Sequence, residues 1–305
     1  MTFRKPLPLA LPPAFSVADA YARGFTRAQM RNRSLVTPFH GTRVGATAAI
    51  PFELRCRALA SRMPPGAAFS HRTAAILRGM PLPLPAVDSV LDVTVPTPKR
   101  APRRRGTRGH SAVLTAADIE MVTGLPVTTV ERTWCDLGGI LDMPDLVAVA
   151  DFLLWHEAPL STAIRLAAAI EAYPSRTGRR ILRRALSLTS DHSRSRPESL
   201  VRVDLALSGL PTPEANHEVY LPIARRTVYL DLAYPEYKLE LEYHGDQHRF
   251  DVRQWRSDVR RGNDIGDEGW QTLQFTGDDL ANLPGLRRRV ERRLRQLGWR
   301  GEPAG

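Results

Sequence analysis

The chain has 305 residues and a formal charge of +11, from 43 Lys+Arg against 32 Asp+Glu. At 43% hydrophobic and 25% charged it has an ordinary globular composition, long enough for two domains, and no run of about 18 apolar residues that would span a bilayer. Its two cysteines, Cys56 and Cys135, exclude a disulfide scaffold and a cysteine zinc finger, and fit a reducing cytoplasm. Residues 1–14 hold four prolines and no continuous apolar core, so an extended tail is expected rather than a secretory signal. A short helix is predicted from Ser16 to Gly24. A second opens at Thr26, where Thr26-Arg-Ala-Gln29 has the form of a capping box, and it carries Arg27 and Arg31. The pair resembles a small helix-turn-helix, with LVTPFHGTRV, centred on Gly41, as a strand pair in the place of a wing.

Ser70–Gly79 is predicted as a capped helix and Leu91–Pro96 as a strand. Lys99, Arg100, Arg103, Arg104, Arg105 and Arg108 fall within ten residues that also hold Pro and Gly and no large apolar anchor. Such a segment reads as a loop that contacts phosphate backbones without reading sequence. Thr128–Glu131 is a second capping box, opening a helix through Leu137. Helices are then predicted over 145–155, 162–173 and 179–188, the last with a basic face of Arg179, Arg180, Arg183 and Arg184. Residues 1–194 hold 26 Lys+Arg against 14 Asp+Glu, whereas 195–305 hold 17 against 18. A basic region beside a neutral, carboxylate-rich one points to a polyanion partner gripped by the first.

In the order GFTRAQM, SHRTAAILRGMPLP, LDVTVP and GLPVTTVERTWCDL, roughly residues 15–155 resemble the antitoxin-like N-terminal region of abortive-infection type IV toxin–antitoxin proteins, so that 15–157 is expected to form one DNA-binding region. The resemblance implies a winged-helix DNA-binding unit followed by a small α/β unit, and a toxin–antitoxin or defence-system partner. Residues 158–194 would then form a basic helical connector.

From Ser195 the signal changes. Ser195-Arg-Pro-Glu198 opens a helix, and HEVYL, RTVYLDLAY and YKLELEYHG read as three strands. In the third, Glu240, Glu242 and His244 alternate with Leu239, Leu241 and Tyr243. A short turn can bring Asp231, at the end of the preceding strand, beside Glu242. Two hard oxygen ligands on one sheet edge suit Mg²⁺ (or Mn²⁺), which polarises a phosphoryl group and lowers the pKa of an attacking water. By spacing alone, Glu240 reads as an exposed strand residue, and Asp258 and Arg261 as an ion pair along one helix.

Asp231, ten intervening residues, Glu242, one residue and then His244 has the form of the PD-(D/E)xK nuclease core. DLAYPEYKLELEYHGDQH, Asp258, Arg261 and Gly269-Trp270 resemble the very short patch repair endonuclease branch and the related actinobacterial domain of unknown function 559. The resemblance implies that residues 195–300 form a restriction-endonuclease-like α-β-β-β-α-β core with a mixed sheet. Asp231 and Glu242 would be metal ligands, Glu198 would support the site, and His244 and His248 would move protons or bind the scissile phosphate. The usual Lys is replaced by His244. The expected class is therefore α/β (α+β overall), and the expected protein a cytoplasmic Mg²⁺-dependent DNA endonuclease with a basic DNA-binding region. The alternatives are a DNA-binding regulator or antitoxin-like protein with a degenerate nuclease fold, and RNA as substrate.

Overall fold

The computed structural model describes residues 11–46, 49–83, 90–245 and 252–301, leaving aside the side chains of 252–258. Two compact units divide the chain, Met1–Leu137 and Gly138–Gly305. The boundary thus lies ahead of the expected ones at 157 and 194. It also sharpens the charge division: the first unit holds 19 Lys+Arg against 8 Asp+Glu, and the second 24 of each. No helix among the described residues is long and apolar enough to cross a membrane.

The first unit begins with β1 (Ala14–Ser16), α1 (Val17–Ala22), α2 (Arg27–Met30), β2 (Leu35–Val36) and β3 (Thr42–Gly45). Ser16 accepts a hydrogen bond from Asp19 N and Thr26 makes the expected reciprocal box with Gln29, so both helix starts are locally encoded. The second helix is a single turn. The strands form a sheet of order β1-β3-β2, so the segment around Gly41 is the antiparallel pair expected.

There follow α3 (Phe52–Ala60), β4 (Ala68–Phe69), α4 (His71–Leu77), β5 (Leu91–Pro96), β6 (Arg103–Arg104), β7 (Thr107–Ala112), β8 (Ile119–Val122), β9 (Leu125–Thr128) and α5 (Val130–Leu137). Their mixed sheet has the order β6-β7-β5-β4-β9-β8. Val93 and Val95 of β5 join Phe69, Leu91, Leu125 and Val127 in the core. Two expected caps differ. Ser70 stands at the start of α4, but its hydroxyl is bonded to Thr94 and His71 rather than to the helix backbone. At α5 the cap is Thr129, which accepts from Arg132 N, because Thr128 is buried at the end of β9 against Thr133.

The second unit opens with α6 (Met143–Leu154), α7 (Ala163–Ala172), α8 (Arg176–Leu186) and α9 (Arg196–Leu207). The order continues with β10 (Glu214–Leu221), β11 (Arg226–Tyr234), β12 (Leu239–His244), α10 (Val252–Asp267), β13 (Gln271–Thr276), α11 (Gly277–Leu280) and α12 (Leu283–Gln296). From α9 to β13 this is the α-β-β-β-α-β order expected. The sheet runs β10-β11-β12-β13, antiparallel except for the parallel β12–β13 pair, and is therefore mixed. Val201 and Leu205 of α9 and Leu286, Val290 and Leu294 of α12 pack with Leu232, Leu239, Leu241 and Phe275 of the sheet. With helices flanking mixed and antiparallel sheets, the chain is α/β, α+β overall.

Candidate functional site

Strand β11 is not regular where it carries Asp231. Strict alternation would put Val228, Leu230, Leu232 and Tyr234 on one face and Ala233 on the other. Instead Val228, Leu230 and Ala233 pack with Ile265 of α10, whereas Leu232 and Tyr234 pack with α9. The strand changes face at Asp231. Opposite it on β10 stands Asn216, skipped by the pairing and held at φ +48°, a left-handed conformation that Asn tolerates better than most residues. On the other side the ladder to β12 stops at Leu232–Leu241, one step short of Asp231 and Glu242. Tyr243 N, beyond the end of that ladder, donates to Asp231 Oδ2 at 3.1 Å. An irregularity of this kind re-aims a side chain, and here the side chain is a carboxylate.

The structure brings Asp231, Glu242, His244 and Glu198 into one neighbourhood. Glu198 at the start of α9 accepts from Ser195 Oγ and from Arg194 N, at 2.7 and 2.9 Å. Burial, and then the charge of Asp231, push its carboxyl up to about 7. Its capping bonds and its nearness to Asp231 are thus both present. Burial also lifts Asp231 above the usual carboxylate range, against the pull of Tyr243 N and Arg261. His244 Nε2 lies 3.1 Å from Glu242 Oε2 and donates to it. His248 lies outside the described residues.

One expectation is overturned here: Glu240 is fully buried, not exposed. The expected Asp258–Arg261 pair rests on a side chain outside the described ones, but Arg261 also bridges two glutamates. Arg261 donates to Glu240 Oε1 at 2.7 Å, to Glu242 Oε1 at 2.5 Å and to the carbonyl of Tyr229 at 2.8 Å. Thr272 Oγ1 satisfies the second Glu240 oxygen. Burial works against the Arg261 charge, but Glu240 and Glu242 outweigh it and raise its pKa. Glu242 therefore has one oxygen on Arg261 and the other on His244 and Gln274. Among the described residues no group of three His, Cys, Asp or Glu side chains is placed to hold a metal ion. The pair expected to ligate Mg²⁺ does not fit the ion in this arrangement, because a guanidinium covers Glu242.

In the first unit the basic segment is a hairpin, not a loop. β6 and β7 pair antiparallel around the turn Arg105-Gly106, and β7 runs parallel to β5. Gly106 has φ +77°, and a side chain there would crowd Phe39 at 3.3 Å; one on Gly109 would meet Pro102 O at 2.3 Å. The close seat of Phe39 brings the β2–β3 tip against the basic turn. Between them lies a cleft of about 660 Å³ lined by Thr37, Phe39, His40, Arg55, Arg104 and Arg105. Arg103, Arg104 and Arg105 are exposed. The other expected contacts do not converge on it. Lys99 donates to Pro65 O, Arg108 leans on buried Asp92 at 3.4 Å, and Arg27, Arg31 and Arg100 are exposed but line no part of the cleft.

No protein-family model matches the chain. No curated protein matches it either. Among solved structures it is similar to the crystal structure of the RV2827C protein from Mycobacterium tuberculosis, at 18% identity. That likeness covers 71% of this chain and 86% of that one, with a TM-score of 0.42, and assigns neither a family nor a function.

Arg55 and the bridging role of Arg261 were not legible in the sequence. Arg55 sits on α3 among ordinary helix residues, with no charge run to mark it, and reaches the cleft only because α3 packs beside the hairpins. Arg261 lies 19 residues from Glu242, beyond any local spacing rule.

Proposed function

We propose that the chain is a DNA-binding protein whose first unit grips the phosphate backbone. What supports it is the basic cleft: the whole charge excess falls in the unit where the β2–β3 tip, Arg55 and the Arg104–Arg105 turn meet. Arginine forks suit phosphate oxygens, and interactions of this kind give affinity without sequence readout. Fluorescence anisotropy on a labelled duplex across a salt series tests this. Each phosphate that a protein cation neutralises steepens the fall of log affinity with log salt by about 0.9, so Arg104→Ala with Arg105→Ala is expected to flatten that slope by about 1.8. An unchanged slope would remove the cleft from DNA binding.

A second reading, a Mg²⁺-dependent endodeoxyribonuclease, is favoured by one observation. Asp231 lies near enough to Glu198 for its charge to help raise that carboxyl, and burial lifts both, a repulsion that a divalent cation would relieve. Arg261 would first have to leave Glu242. This reading predicts relaxation of supercoiled plasmid with Mg²⁺ or Mn²⁺, stopped by EDTA and by Asp231→Ala. Identical behaviour of wild type and Asp231→Ala would leave the nuclease-like core as a scaffold of a DNA-binding regulator.

A further inference from the structure

A second cleft, of about 520 Å³, lies in the second unit beside the irregularity in β11. Its lining includes His156, His192, Glu214, His217, Glu218 and Tyr229. Tyr229 stands two residues before Asp231, and Asn216, also in the lining, is the residue opposite Asp231. The cleft is thus contiguous with the carboxylate neighbourhood along two strands.

The imidazoles are held in one orientation. His156 Nδ1 donates to the carbonyl of Asp191 at 3.0 Å, and His192 Nδ1 to Oδ1 of the same Asp191 at 2.7 Å. Both partners are acceptors, so each ring carries a hydrogen on Nδ1, and in the neutral imidazole each Nε2 then presents a lone pair. The two rings stack with centroids 4.5 Å apart and planes 19° from parallel, and Trp155 lies 4.4 Å from His156. His217 Nδ1 donates to Glu214 Oε2, and Tyr229 OH to Glu218 Oε2. The cleft therefore offers acceptors: imidazole nitrogens and the remaining carboxylate oxygens. Such a lining repels phosphate and attracts N–H donors, and its stacked rings suit a flat partner.

We propose that this cleft is a nucleobase subsite, taking an unpaired base that carries an exocyclic amino group. It rests on the nucleic-acid reading above, for which it supplies recognition of a base where the basic cleft supplies recognition of phosphates. Carboxylates accept from the cytosine amino group, and aromatic rings stack on any base. Thymine has a ring of the same size as cytosine, with a 5-methyl group and an N3–H besides, but carries a carbonyl oxygen in place of the exocyclic amine, and that oxygen would face the acceptors.

The test uses the full chain and nucleosides, which lack phosphate and so do not depend on the basic cleft. Histidine-labelled protein is titrated with deoxycytidine and with thymidine, following the ring nitrogens by NMR. Deoxycytidine should shift the Nε2 signals of His156 and His192 and bind about ten-fold more tightly than thymidine. His192→Ala, at a half-exposed position that folding tolerates, should weaken deoxycytidine about ten-fold. Equal affinity for the two nucleosides, or no shift, would overturn the proposal. So would stoichiometric Zn²⁺ binding at the same Nε2 atoms that excludes deoxycytidine, since it would make the cleft a metal site. Nucleoside binding without duplex binding would instead remove the phosphate grip and leave this subsite standing.

Discussion

Arg261→Ala is expected to lower the stability of the second unit by about 3 kcal/mol at pH 7, at the lower end of the range for breaking a buried ion pair. The cause is Glu240, fully buried, whose charge is balanced by Arg261 and, among the described residues, by no other cation at hydrogen-bonding distance. Glu242 is a fifth exposed and is partly hydrated after the loss. Burial lifts the Glu240 carboxyl above its ordinary value and Arg261 pulls it back. Without Arg261 the folded variant holds a proton on Glu240 that the unfolded chain releases above its own carboxylate pKa. Its stability therefore rises as pH falls towards the unfolded value, so the deficit against wild type should shrink between pH 7 and pH 5. Urea unfolding of both proteins at the two pH values checks this. A deficit that is constant with pH would mean that lost packing, rather than an uncompensated carboxylate, accounts for it. Arg261→Met with Glu240→Leu should recover most of the loss, because it removes the charge together with its partner.

What could be read ahead of the structure follows the range of each interaction. Thr26 with Gln29 and Ser195 with Glu198 were legible because a helix start needs partners only three residues away. The face shared by Glu240, Glu242 and His244 was legible because a strand repeats every two residues. What covers that face was not. Arg261 reaches it from α10 across the sheet, and spacing along α10 offers the nearer Asp258 as a competitor. The basic segment 99–108 was read as a loop for lack of apolar residues, yet it forms a hairpin because β5 supplies a parallel edge to β7. Tertiary pairing overrides weak local preference there. The pair expected to ligate a metal is the clearest instance. Residue types and spacing put Asp231 and Glu242 together, but only coordinates show that a cation of the protein's own is already on Glu242.

The helices α6 to α8 carry the same lesson and the other large expected effect. The basic charge of residues 158–194, which hold α7 and α8, suggested a connector, and α6 was expected to belong with residues 15–157, but α6 is clamped to α9, the helix that opens the β10–β13 unit. Asp151 on α6 accepts from Arg202 Nη2 at 2.7 Å, from Ser199 Oγ at 2.7 Å and from Ser190 N at 2.8 Å, and is 1% exposed. Arg202 spends its other terminal nitrogen on the carbonyl of Leu188. Asp151→Ala strands a guanidinium that is 5% exposed and removes the acceptor for two further donors. A loss of about 3–5 kcal/mol is expected, large against the whole stability of a domain. Asp151→Leu with Arg202→Met should cost far less, as apolar pairs of similar volume commonly replace buried ions without penalty. Amide exchange in Leu146–Leu153 and Val201–Leu205 reads the clamp directly. In Asp151→Ala both segments should lose protection together, since each is held by the other. Loss confined to α6 would show that α9 stands on the sheet alone, and that the preceding helices are an appendage to the core rather than part of it.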